Sequence, residues 1–144
     1  MRRLIIENIG PIKHVDLELA KVNVFVGPQG AGKSTLAKII SFCCWLEKHS
    51  SDDSVFLDAA SKLKSYHRLA SYFNPDSQIY YQGEDIIYCY GWDKEQISMP
   101  ERFENANVLS PNEKETIWFA IGKSVNPKVI YIPAERNFVA SVPN

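Results

Sequence analysis

The sequence predicts an α/β fold, and three observations carry this prediction. Residues 22–26, VNVFV, are β-branched and almost entirely apolar, which is typical of a strand covered on both faces. A glycine-rich turn follows, and apolar residues with helical spacing begin at Lys33. A second apolar strand, VIYI, occupies residues 129–132. A strand, a loop and a helix in this order, followed later by a second apolar strand, are typical of an α/β fold.

Composition narrows the classes of function. The chain has 144 residues, which suits one domain spanning residues 1–144, and its net charge of −1 gives no overall attraction to nucleic acid. No apolar run approaches the ~18 residues of a membrane span, and the N-terminus lacks the apolar stretch of a signal peptide. We therefore expect a cytoplasmic protein with no membrane partner. Cys43, Cys44 and Cys89 have no metal-ligand spacing and are expected to be buried, reduced hydrophobes.

The first 48 residues are predicted to hold three strands and one helix. Leu4–Glu7 and His14–Leu19 flank the turn residues Asn8–Pro11 and should form an antiparallel pair. The covered strand at residues 22–26 follows. The apolar spacing then predicts a helix from Lys33 to Lys48 that is buried on more than one side.

Residues 49–110 are interpreted as an inserted segment of helix and β-hairpin. A helix is predicted over Asp53–Phe73, capped by Ser51 or Asp52. Two segments with a period of two then predict a hairpin, and a third strand is expected near Ile97. The two hairpin segments are Gln78–Gln82 and Asp85–Tyr90.

Residues 111–144 are predicted to hold a helix, a strand and a loop. Ser110-Pro111-Asn112-Glu113 matches a capping box with proline at the first helical position. A helix is therefore expected through Ile121, ended by Gly122. The strand at residues 129–132 and the loop PAER at 133–136 follow.

The loop between the covered strand and the first helix contains the residues that are expected to bind a ligand. Its backbone N–H groups can turn inward around an anion, and the helix N-terminus adds unpaired N–H groups and a positive dipole end. Lys33 is placed to bind the β- and γ-phosphates of a nucleotide, Ser34 to ligate Mg²⁺, and Thr35 to donate to the α-phosphate. The motif G-x-x-x-x-G-K-[ST] is matched by Gly27, Pro28, Gln29, Gly30, Ala31, Gly32, Lys33 and Ser34.

The alternative is that this loop is only a glycine turn with a lysine on the surface and no ligand. Such a turn would need neither repeated glycines nor a Lys-Ser pair after them. The expected ligand is ATP with Mg²⁺. No N-K-x-D-type motif for reading guanine is present, and adenine can be held by stacking alone.

The order of elements is similar to that of a known class of ATPase. Strand, N-I-G-P-I-K turn, strand, covered strand and P-loop resemble the N-terminal part of the ABC-type and AAA ATPase heads of the SMC, RecF and OLD-nuclease group. The segment VIYIPAERNF is similar to one in bacterial AAA-type ATPases of this kind. The resemblance implies a P-loop NTPase fold with residues 53–99 as an insertion. It also implies ATP hydrolysis between two heads, with a second head or a second copy as partner.

Several parts that the resembling ATPases need for hydrolysis are not matched. These are a Walker B aspartate with a following glutamate, an L-S-G-G-type signature and a switch histidine. Pro133-Ala134 stands where the aspartate would be expected after VIYI. Glu135 and Arg136 follow, and they either form an exposed ion pair in a turn or face the γ-phosphate as catalytic candidates beside Lys33.

Two central strands of the resembling sheet would lie beyond Asn144, so we expect an incomplete parallel sheet with exposed apolar edges. The chain is interpreted as the N-terminal portion of an ATPase head, inactive by itself, which hydrolyses ATP only with its other half and a second head. The alternative is a nucleotide-dependent binding or regulatory module without hydrolysis. Nucleic acid is a partner that the resemblance allows for the intact protein, but no residue here supports it.

Other groups of residues are weaker candidates for function. The histidines are scattered, so no metal or catalytic site is expected from them. The hairpin tyrosines lack interleaved Lys or Arg, which favours strand packing over stacking on bases. A basic run is interpreted as a solvated helix face, and it consists of Lys62, Lys64, His67 and Arg68.

Overall fold

Two sheets and two α-helices make up the part of the chain that this computed structural model describes, residues 2–20, 22–50, 53–120, 127–131 and 138–143. In chain order the elements are β1 (Arg2–Ile9), β2 (Ile12–Leu19), β3 (Val22–Val24), α1 (Lys33–Lys48), α2 (Ala59–Tyr66), β4 (Gln78–Gln82), β5 (Ile86–Tyr90), β6 (Asn107–Leu109), β7 (Glu115–Phe119), β8 (Pro127–Tyr131) and β9 (Phe138–Pro143). Short 3₁₀ helices lie at Asp53–Phe56, Ala70–Tyr72, Lys94–Gln96 and Glu101–Phe103. The architecture is α/β, and the predicted bounds of α1 are confirmed.

The larger sheet has the strand order β2-β1-β4-β5-β7-β6, and every neighbouring pair is antiparallel. The predicted N-terminal pair and the predicted hairpin are both confirmed. β1 also pairs with β4, so these two units form one continuous sheet. Short turns such as those joining β1 to β2 and β4 to β5 connect antiparallel neighbours, which agrees with this arrangement.

The smaller sheet has the order β3-β9-β8, again antiparallel. β3 and β8 therefore run in the same direction but are separated by β9, whose Ala140 lies opposite Val22. The parallel sheet expected for the strands at residues 22–26 and 129–132 is therefore not found in the described part of this sheet, because the antiparallel β9 lies between β3 and β8. Helix α1 lies against β8 and β9 on one side and packs into the core of the larger sheet on the other. Burial of α1 on more than one side is thus confirmed.

The strand before the glycine-rich loop is covered on only one face. β3 comprises three residues and ends at Val24, which is 68% exposed. Beyond it Phe25 packs against the core while Val26 is 87% exposed. The prediction of a strand covered on both faces is therefore wrong. β3 is an edge strand of the described part of its sheet, so its outer side lacks a neighbour.

The single helix predicted over Asp53–Phe73 is broken into shorter pieces. α2 covers only Ala59–Tyr66 and lies between two 3₁₀ helices. It ends because Arg68 takes a left-handed φ of 55°, which lets the Leu69 N–H donate to the Lys64 carbonyl at 2.9 Å. The pieces keep one apolar face on the core, so the periodicity of the sequence did not reveal the breaks.

The helix predicted after the capping box is instead β7, a strand between β5 and β6. The Asn112 side chain accepts hydrogen bonds from the N–H groups of Lys114 at 2.9 Å and Glu115 at 3.0 Å, and this turn leads into the strand. Side chains on both faces of β7 are buried. A strand covered on both faces loses the alternation that would have identified it.

The second face of the larger sheet carries a small core of its own. Phe103 and partly buried side chains of residues 92–106 cover it. Ile97 belongs to this cover and is not part of a strand. The prediction of a third strand near Ile97 is therefore wrong. The sheet contributes Tyr80, Ile87, Cys89 and Trp118. The hairpin tyrosines are buried, which confirms strand packing. Predictions outside the described residues concern Ser51, Asp52, Ile121, Gly122 and Ile132.

A buried carboxylate near the end of α1 joins the helix to the larger sheet. Glu47 is fully buried, and its Oε1 accepts hydrogen bonds from Arg2 Nε and the Tyr81 hydroxyl, both at 3.0 Å. Its Oε2 accepts one from the Asp85 N–H at 2.9 Å. Burial lowers the pKa of Arg2, but the charge of Glu47, its hydrogen bond and the nearby Tyr81 together raise the pKa above its ordinary value. Glycine at position 83 leaves room for the Glu47 carboxylate, because a Cβ on residue 83 would overlap Oε2 of Glu47.

We expect Glu47→Gln to lower the free energy of unfolding by about 3 kcal/mol, because it leaves the largely buried Arg2 without a counter-charge. Urea denaturation measures the loss. Glu113→Gln is the matched control, because Glu113 is exposed, and it should change stability by less than about 0.5 kcal/mol. Similar losses in the two variants would contradict the role of Glu47.

Candidate functional site

The glycine-rich loop connects β3 to α1, as the sequence predicts. Its backbone is left-handed at Gly30, with φ of 84°, and at Gly32, with φ of 101°, a conformation that favours glycine. The Ala31 N–H donates to the Pro28 carbonyl at 3.2 Å and closes a turn at the tip. Residues 27–31 are all exposed, so the loop backbone is open to solvent.

The start of α1 is open to an external acceptor. Gly32 is the N-cap, no side chain caps the helix, and the first turn contains no acidic residue. The N–H groups of the first turn have no acceptor within the helix, and the positive end of the helix dipole lies beside the loop. Such a helix start is a local arrangement that can bind an anion.

The side chains predicted as ligands lie at different depths. The Lys33 ammonium donates to the Gly27 carbonyl and so bridges the two ends of the loop. Lys33 and Ser34 are partly exposed, whereas Thr35 is buried in the first turn of the helix. The structure therefore brings these three residues together at one end of α1.

A cavity of about 360 Å³ lies beside the loop. The loop side is formed by Ala31, Gly32 and Lys33, and the remaining wall is apolar. That wall consists of Ile12, Val15, Val24, Phe25, Val26 and Leu36. Lys33 is the only charged side chain among the described residues of this lining.

The turn between β1 and β2 supports the loop from behind. A Cβ built on Gly32 would lie 2.8 Å from Cγ1 of Ile12, whereas one built on Gly30 would meet no atom within 4 Å. Ile12 is 5% exposed. No spacing rule connects Ile12 with Gly32, so the sequence pattern does not predict this contact.

A family model described as an AAA domain matches residues 3–137, which is most of the chain. The chain belongs to this AAA domain family. AAA-type domains of this kind occur in SMC- and RecF-like ATPases, so the resemblance is confirmed. No curated protein and no solved structure matches the chain significantly.

The remaining candidate residues of the AAA domain are two charged residues near its C-terminal end and the histidines. Glu135 and Arg136 lie outside the described residues. His14 contacts Glu7, and Nδ1 of His49 lies 2.9 Å from the Trp45 carbonyl oxygen. Neither helix in the described ranges combines the length and apolar character needed to cross a bilayer.

The basic run of the AAA domain lies on aromatic rings. Lys62 Nζ is 5.7 Å from the centroid of the Trp45 ring, and Lys64 Nζ is 4.8 Å from that of Phe73. Both lysines remain partly exposed, so the interpretation as a solvated helix face holds for them while their stems lie beside the rings. Lys62 also lines a groove of about 430 Å³ between α1 and α2.

The cysteines of the AAA domain are free and buried, as predicted. Burial raises the pKa of Cys43 well above its ordinary range and that of Cys89 to about 12. Neither thiol forms an appreciable amount of the reactive thiolate at neutral pH.

We expect Gly32→Ala to destabilise the domain by about 1–2 kcal/mol more than Gly30→Ala. Both variants place alanine at a left-handed φ, which costs about 1 kcal/mol, but only the Cβ at position 32 also overlaps Ile12. Urea denaturation of both variants separates the steric effect from the backbone effect. Equal losses would show that Ile12 does not press on Gly32.

Proposed function

We propose that this AAA domain binds ATP and Mg²⁺ at Gly27–Ser34 as the N-terminal part of an ATPase head. The observation that carries the proposal is the uncapped, acid-free start of α1, directly after a loop with two left-handed glycines. Backbone N–H groups and the helix dipole are together suited to a phosphate chain. The family supports this ligand, because AAA domains are nucleotide-binding ATPase modules.

The residues at the loop fit the proposed ligand. The open space around Gly30 lets a phosphate approach the backbone closely. Lys33 would exchange the Gly27 carbonyl for the β- and γ-phosphates, while Ser34 would hold Mg²⁺ and Thr35 would donate to the α-phosphate. Bound Mg²⁺ would supply a charge that neutralises the phosphate oxygens.

The apolar cavity beside the loop supports ATP as the preferred nucleotide. The described residues of its wall offer a non-polar surface to a purine ring and, apart from Lys33, no polar side chain that would distinguish guanine from adenine. Binding there depends on contact area more than on base-specific hydrogen bonds, so the preference for ATP over GTP is weak.

Hydrolysis is proposed for the intact ATPase only. Phosphoryl transfer needs a positioned water and an orienting or basic group as well as charge neutralisation. Lys33 would stabilise the developing charge, but no described residue of the cavity lining is a carboxylate. Glu135 remains the first candidate base, with Arg136 beside it.

A second head or a second copy of the chain is proposed as the partner. Val24 on the edge strand β3 and Val26 just beyond it are exposed next to the loop, and an apolar edge of this kind favours association. Free, buried cysteines support a reducing, cytoplasmic location.

A nucleotide-dependent binding module without hydrolysis is the second candidate function. The described part of the cavity lining, which contains no carboxylate, favours it. Nucleotide would then stabilise a partner complex by being bound, not by being cleaved.

We expect Lys33→Ala to weaken binding of a fluorescent ATP analogue by about tenfold to a hundredfold, because a charged donor to the phosphates is lost. Stability should change by less than about 0.5 kcal/mol, since Lys33 is partly exposed. Lys13→Ala, an exposed lysine of β2, is the control and should bind like the unchanged chain. Equal affinity in Lys33→Ala would contradict the proposed site.

The chain by itself is expected to release phosphate from ATP only at the background rate. A sensitive phosphate assay on the purified chain and on Lys33→Ala tests this. Turnover that Lys33→Ala abolishes would mean that the chain holds its own base. Glu135→Gln would then be the first variant to examine.

A further inference from the structure

The turn between β1 and β2, residues 8–12, lies between the glycine-rich loop and the segment 70–77 that precedes β4. On the loop side, Ile12 packs under Gly32 as described above, and Pro11 also approaches it. A Cβ at Gly32 would lie 3.5 Å from Cγ of Pro11. The loop therefore rests directly on this turn.

The other side of the turn is fixed to residues 70–77. Gly10 has a left-handed φ of 54°, and its N–H donates to the Tyr72 carbonyl at 3.0 Å. The Tyr72 ring covers Gly10 so closely that a Cβ there would lie 2.5 Å from Cδ2. The turn thus has no free space between Gly10 and the ring.

Asn8 strengthens the same attachment with hydrogen bonds in both directions. Its carbonyl accepts from the Ser77 hydroxyl at 2.5 Å and from the Asn74 amide at 3.3 Å. Its own side-chain amide donates to the Asp76 carbonyl at 3.3 Å. Residues 8–10 and 72–77 therefore form one hydrogen-bonded unit.

We propose that Ile12 is a positioning residue for the phosphate loop, and that the 8–12 turn couples the loop to residues 70–77. The inference rests on the proposed nucleotide site. A ligand that fixes Gly32 restricts Ile12 through direct contact, and Pro11, whose φ is set by its ring, links Ile12 to Gly10. Because coupling between two sites is reciprocal, a partner that holds residues 70–77 would tighten nucleotide binding.

Hydrogen exchange of the full chain, with and without ATP·Mg²⁺, tests the coupling. We expect nucleotide to slow exchange at residues 27–35 and also at Gly10 and residues 70–77. Ile12→Val, which trims the contact with little risk to folding, should weaken nucleotide binding about fivefold and reduce the slowing at 70–77. Tyr72→Ala should likewise reduce the slowing at Gly10.

Tyr66→Ala is the matched control, because Tyr66 is 80% exposed and lies outside the turn. It should behave like the unchanged chain in both measurements. Slowing confined to residues 27–35 would overturn the coupling while leaving the nucleotide site intact. No slowing at residues 27–35 would overturn the proposed function itself, so the two failures are distinguishable.

Discussion

The buried carboxylate of Glu47 is the constraint on which the placement of α1 depends. It gathers a side chain from β1, another from β4 and a backbone N–H from the turn after β4. Three segments distant in sequence thus meet at the last turn of a helix whose first turn adjoins the glycine-rich loop. Sixteen helical residues span about 24 Å. Because the helix is rigid, fixing its last turn also fixes the rotation and position of its first turn. The glycine-rich loop is therefore held by α1 on one side and by the β1–β2 turn on the other.

The segment that the resemblance treats as an insertion is a structural part of the N-terminal sheet. Its hairpin joins β1 directly through β4, and its residues 70–77 hold the β1–β2 turn. The core under α1 is shared between the two parts. For example, the rings of Phe42 and Tyr88 pack edge to face with their centroids 6.0 Å apart. The larger of the two cores is therefore built from both parts, and the glycine-rich loop rests on a turn that the segment after α2 holds.

Local patterns were sufficient for the elements whose signals lie within a few residues. The apolar stripe of α1, the hairpin at Gly83 and the glycine-rich loop were all identified because spacing and turn chemistry are short-range. β7 was mistaken for a helix because burial on both faces removed its alternation, and the breaks around α2 kept a helical period. The position of β9 between β3 and β8 and the contact of Ile12 with Gly32 depend on residues that are distant in sequence. The periodicity of a single segment contains no information about such contacts.

The space above Gly83 has a consequence for the history of the family. Any side chain at position 83 would occupy the volume of the Glu47 carboxylate, so the two positions cannot vary independently. Relatives that carry a larger residue at 83 should have a shorter one at 47 and, having lost the acceptor, no arginine at position 2. Covariation of these three positions across many sequences would therefore be evidence, independent of the structure, that the Glu47 carboxylate anchors α1.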